Sequence, residues 1–150
     1  MRAAKRSSTD RILEGVRVRR EALYDAMCQL EAALTAPNAR WPMRLRVALH
    51  VLRDVIHDHV RDTEAQDGLF EEIAHRTPRL LHAVGVLRRH HQALRDQVTA
   101  AIALLDREPP VDVTEIREAG TLLLADLARH RQRGSDLIYE SYSVDVGGQG

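Results

Sequence analysis

The chain has 150 residues with 22 basic and 22 acidic side chains, eight histidines, one cysteine and 3% aromatics. Balanced charge removes any global bias toward nucleic acid or anionic membrane. The single cysteine, Cys28, excludes an internal disulfide and points to a reducing cytoplasm. No apolar run approaches the roughly 20 residues that a spanning helix needs.

Taken in chain order, the residues from Met1 to Thr9 begin with Arg2, Lys5 and Arg6 and carry no apolar stretch, so they read as a basic, disordered tail and not as a secretion signal. Ser7, Ser8, Thr9 and Asp10 offer N-caps for a first helix. Its apolar seam is Leu13, Val16, Arg20, Leu23, Met27, Leu30, Leu34. A turn is expected over Ala36–Trp41, where Pro37 and Asn38 stand. The second helix starts near Trp41–Pro42 and runs through Leu45, Leu49, Leu52, Ile56, His59 and Thr63. It breaks at Gln66–Asp67–Gly68 before a short amphipathic piece, Leu69 to Ile73. Beyond a turn at Arg76–Pro78, a third seam reads Leu80, Val84, Leu87, His91, Leu94, Val98, Ala101, Leu105. After Arg107–Pro110 a fourth reads Val113, Ile116, Gly120, Leu123, Leu127, His130, Gly134, Leu137 and ends around Tyr142. Steps of three and four residues define one face of a helix turning every 3.6 residues. The predicted fold is therefore all-α: an up-down-up-down four-helix bundle over residues 10–142, with an irregular tail over 143–150.

Each seam holds one residue foreign to a core: Arg20, His59, His91 and His130. They lie at similar distances from the turns that join their helices, so in such a bundle they share one layer. Imidazoles at one depth are a metal-ligand pattern, whereas a single buried histidine is more often a satisfied core residue. The usual i+4 carboxylate is missing. His59 is followed there by Thr63, with Glu64 at i+5, about 140° around the helix. Behind His91 stands Arg95, and behind His130 stand Gly134 and Ser135. Gly134 leaves an opening in the fourth helix. His57 and His82 fall on outward faces, and His90 lies about 100° from His91. A buried Arg20 requires a carboxylate, and Glu64 or Asp136 is the expected partner.

Three stretches are similar to the hemerythrin-like (HHE cation-binding) family: His59-Val-Arg-Asp-Thr-Glu64 before Leu69-Phe70, Leu87-Arg-Arg-His-His91-Gln-Ala-Leu94, and His130 to Tyr139. The first helix matches in register, with Arg20 where that family carries a histidine. The resemblance implies a non-haem iron site on His59, Glu64, His91 and His130, holding one or two ions that bind or sense dioxygen, nitric oxide or iron itself. The other expectation is a metal-free module of the same fold with an interaction or regulatory role. No nucleophile-and-base pair or Gly-rich phosphate loop occurs, so the chain reads as a bacterial cytoplasmic binding protein and not an enzyme.

Overall fold

The computed structural model describes residues 7–36, 39–108 and 112–147. Four long helices, α1 (Ser8–Thr35), α2 (Trp41–Glu64), α4 (Leu81–Leu105) and α5 (Val113–Gly147), form a helical bundle. The short α3 (Leu69–Arg76) and one 3₁₀ turn (Pro78–Leu80) connect α2 to α4. In space α1 packs on α2, α2 on α4, α4 on α5 and α5 on α1. No strand occurs among the described residues, and none of these helices is long and apolar enough to cross a membrane.

Local signals set the boundaries. Ser7 caps α1 in a capping box: its hydroxyl accepts from the Asp10 N–H while the Asp10 carboxylate accepts from its own N–H. Helix thus begins inside the stretch expected as a tail over 1–9, and Met1–Arg6 lie outside the described residues. Pro42 occupies the first turn of α2, where its missing N–H costs nothing. The expected turn residues Pro37, Asn38, Pro109 and Pro110 also lie outside the described set.

At the break after α2, Asp67 adopts φ 63°, a left-handed conformation that Asp tolerates better than most residues. Gly68 follows because a Cβ there would stand 2.5 Å from the Asp62 carbonyl oxygen. The Asp67 N–H donates to the Glu71 carboxylate at 3.2 Å, which fixes the start of α3. Residues 143–147 are helical and not irregular as expected, since α5 continues past Tyr142 to Gly147. The Ser143 hydroxyl donates back to the Tyr139 carbonyl, the local bond that a hydroxyl makes without ending a helix. Residues 148–150 lie outside the described set.

The apolar seam residues face inward, apart from Val113, which is exposed at the start of α5, and Leu13, Val16, Met27 and Leu105, which are half-buried. They build two apolar clusters. The larger contains Leu23, Leu30, Leu49, Leu52, Leu94, Val98, Leu123 and Leu127. The smaller gathers Leu69, Phe70, Ile73, Leu80, Val84, Leu87 and Leu137 at the α3 end. Along α4, Leu87 belongs to the small cluster and Leu94 to the large one, with His91 between them. Along α5, Leu137 and Leu127 flank His130 in the same way. A polar layer therefore divides the core in two.

Candidate metal centre

The polar layer brings together three of the four seam-breaking residues. His59 on α2, His91 on α4 and His130 on α5 offer ring nitrogens that all lie within 4.8 Å of one another. His130 is the hub: its Nε2 stands 3.2 Å from Nε2 of His59 and 3.1 Å from Nε2 of His91. His91 and His130 are buried, and His59 is half-buried. Two imidazoles bound to one ion at about 2.0–2.1 Å have their nitrogens about 3–3.4 Å apart for angles between octahedral and tetrahedral. Both short edges of the triangle fall in that range.

The environment keeps these rings neutral. Burial, reinforced by neighbouring rings and arginines, lowers His91 to about 2 and His130 to about 3. Burial also takes His59 to about 4, with Asp62 opposing the shift and the charges of Arg20 and Arg19 adding to it. A neutral imidazole holds one proton and one lone pair, so Nε2 donors converging on a cation require the proton on Nδ1. Nδ1 of His91 and Nδ1 of His130 are buried and make no hydrogen bond within the usual limit. On the His91 side, however, Oε2 of Glu64 lies 3.7 Å from Nδ1.

That contact decides the place of Glu64. It stands behind His91, on the side away from the converging nitrogens, and is not part of the ligand cluster. The expectation that Glu64 coordinates directly is thereby corrected. The 140° offset from His59 turns its carboxylate toward α4, where Oε1 accepts from Arg88 at 3.4 Å. A carboxylate facing the outer nitrogen of a ligating histidine orients the ring and raises its basicity. Thr63, at i+4 from His59, donates its hydroxyl to the His59 carbonyl at 2.6 Å.

Arg20 occupies the α1 wall of the same layer, half-buried, and donates through Nη2 to the Ser135 hydroxyl. Its expected partners, Glu64 and Asp136, are engaged elsewhere: Glu64 with Arg88, and Asp136 with the Gln132 amide at 2.9 Å. Two supporting residues flank the rings: the sequence assigns no role to Phe70 and offers His90 as either a support to His91 or a surface residue. Phe70 stacks on the His91 ring at 5.4 Å and 10°, and His90 sits edge-on to His130 while Arg133 donates to its Nε2 at 2.8 Å. Phe70 was visible as an apolar residue one turn beyond the α2 break, and His90 as the neighbour of His91. His57 and His82 are exposed, as their helix faces require.

A cavity of about 320 Å³ opens beside the triad. Gly134 lines it, and a Cβ at that position would meet no atom within 4 Å. Comparison with protein-family models, curated proteins and solved structures finds no match to this chain. The likeness to hemerythrin-like proteins is therefore carried by the residue pattern alone.

Proposed function

We propose that the protein is a hemerythrin-like bundle of up-down-up-down topology that holds one non-haem iron ion on His59, His91 and His130 and binds or senses a small diatomic ligand such as dioxygen or nitric oxide. The observation that carries this reading is the convergence of three neutral Nε2 atoms with 3.1 and 3.2 Å edges beside a cavity. Three donors suit one ion and leave further positions for water or ligand. Among the described residues no second cluster would hold another, so a single ion fits better than a pair. Imidazole donors suit iron, zinc, nickel and copper alike, and iron is chosen here on the family resemblance. Bound iron would supply a Lewis-acidic, redox-active centre. The chain's own residues set its access and field: Glu64 orients His91, Phe70 shields the ring, and Arg20 places a fixed positive charge in the wall.

A second reading is favoured by the same edges, since 3.1 and 3.2 Å are also imidazole–imidazole hydrogen-bond lengths. In it the layer is a metal-free polar core, and the module has an interaction or regulatory role. Metal analysis of protein purified without a metal-affinity tag, followed by anaerobic titration with ferrous iron and with zinc, separates the two. The metal reading requires one ion per chain, lost in His59→Ala, His91→Ala and His130→Ala and kept in His57→Ala and His82→Ala. No stoichiometric binding of any ion leaves the metal-free reading.

A further inference from the structure

The cavity beside the triad is far larger than a diatomic ligand needs, at about 320 Å³ against roughly 30 Å³ for a water molecule. Its wall is mainly apolar, with Ile12 and Val16 from α1, Leu69 and Phe70 from α3, and Leu137 and Ile138 from α5. Four arginines also line it: Arg11 is exposed at its edge, and the charges of the other three are met differently. Arg19 is neutralised by Asp62 at 2.5 Å and Asp58 at 3.6 Å. Arg131 lies over the Tyr24 ring at 5.0 Å, and its Nε is buried without a hydrogen-bond partner. Arg20 has a hydroxyl, Ser135, and no carboxylate partner among the described residues. A guanidinium has five N–H donors in a planar fork, so Arg20 is left with most of its donors and its whole charge to satisfy.

We propose that this cavity is a binding site for a small monocarboxylate with an apolar body, its carboxylate paired with Arg20 and its hydrocarbon part against Val16, Leu69, Phe70 and Leu137. A carboxylate is the anion whose two oxygens match the guanidinium fork. A phosphate would carry more charge into a chamber whose rim bears the acidic Asp62 and Asp67. Apolar walls with a few placed polar groups are the general form of small-molecule pockets, and this volume lies at the lower end of their range. The inference deepens the metal-centre reading and rests on it for one element alone, the ion that would face the carboxylate from the triad. Arg20 and the apolar wall act with or without that ion.

Calorimetric titration tests it on the full chain, both chelator-treated and zinc-loaded, with straight-chain carboxylates from acetate to octanoate and with the matching primary alcohols. Carboxylates should bind, each added methylene raising affinity about fourfold until the chain no longer fits. Matching alcohols should bind roughly tenfold or more weakly, since they lack the charge-assisted pair. Arg20→Gln should bring the carboxylates down to the level of the alcohols while leaving alcohol affinity unchanged. Arg20→Lys, which keeps the charge and loses the fork, should fall between, and it serves if the glutamine variant does not fold. Alcohols binding as tightly as carboxylates, no binding at millimolar concentration in either state, or wild-type octanoate affinity in Arg20→Gln would each overturn the proposal. Carboxylate binding by a protein that takes up no metal would support it while removing the metal reading. Metal uptake without carboxylate binding would remove this proposal alone.

Discussion

Acid should unfold the metal-free protein, and the triad sets where. An unfolded chain protonates each imidazole near pH 6.5, whereas the folded protein holds His59 down to about 4 and His130 and His91 lower still. Below pH 6.5 the unfolded state therefore binds more protons than the folded one, and the free energy of unfolding drops as the pH drops. Each excluded proton contributes about 1.4 kcal/mol per pH unit. For His59 the loss begins near pH 6.5 and is complete below about 4, some 3 kcal/mol in all. His91 and His130 add in the same direction. Because a first proton raises the cost of a second across 3.1 Å, the triad charges stepwise. A domain with a total stability of about 5–15 kcal/mol cannot absorb such losses for long. Urea unfolding followed by far-ultraviolet circular dichroism, repeated from neutral pH down to about 4, measures the effect. His59→Gln should flatten the profile by about 1.4 kcal/mol per pH unit, and His57→Gln, on an exposed face, should leave it as it is. Stability that stays constant across the window, or a slope that survives His59→Gln unchanged, would show that these rings are solvated and the layer is not closed. Bound metal should steepen the acid transition, because protons and metal compete for the same lone pairs.

Other substitutions probe the neighbouring walls. Arg20→His removes the cation that faces His59 and places a fourth imidazole in the layer. Metal affinity by competition titration should rise at least tenfold, given that unit charges about 4 Å apart repel by roughly 4 kcal/mol near a protein surface. Unchanged affinity would mean that the guanidinium, tied to Ser135, exerts no field at the triad. Gly120→Ala should cost about 1–3 kcal/mol, because its Cβ would meet the two Leu34 δ-carbons at 2.6 and 2.8 Å. Gly134→Ala meets nothing within 4 Å and should gain about 1 kcal/mol of helix propensity. Urea midpoints falling in the reverse order would refute the packing described at Gly120.

The bundle elements were legible because seam spacing and turn residues speak together: Leu45 to Ile56 repeats at helical steps, and Asp67–Gly68 marks a conformation that few other residues accept. The depth of His59, His91 and His130 followed from counting outward from those turns. What spacing could not give was the azimuth and reach of side chains. Glu64 was expected among the ligands or beside Arg20, and only tertiary packing shows that its face of α2 meets α4 and turns the carboxylate toward Arg88 and His91 Nδ1. Arg20 was expected to find a carboxylate, yet half-burial lets solvent and the Ser135 hydroxyl serve. The reach of α5 past Tyr142 was hidden by the glycines that follow, which disfavour helix without forbidding it.

The triad leaves one long helix out. Its members span sequence separations of 39 and 71 residues and would staple α2, α4 and α5 into one frame, but α1 contributes no ring. The C-terminal half of α1, from Leu23 to Leu34, is anchored in the larger core. Its N-terminal half is held by half-buried Ile12 and Val16 and by polar latches near the surface: Thr9 to Glu72, Arg19 to Asp58 and Asp62, Arg20 to Ser135. Of these only Arg19 with Asp58 and Asp62 is an ion pair, and partly exposed pairs of that kind are worth about 0–1 kcal/mol each and weaken as salt rises. The N-terminal half of α1 is therefore the part of the bundle held least by buried apolar contact, and the share of that hold carried by Arg19 with Asp58 and Asp62 falls as ionic strength rises.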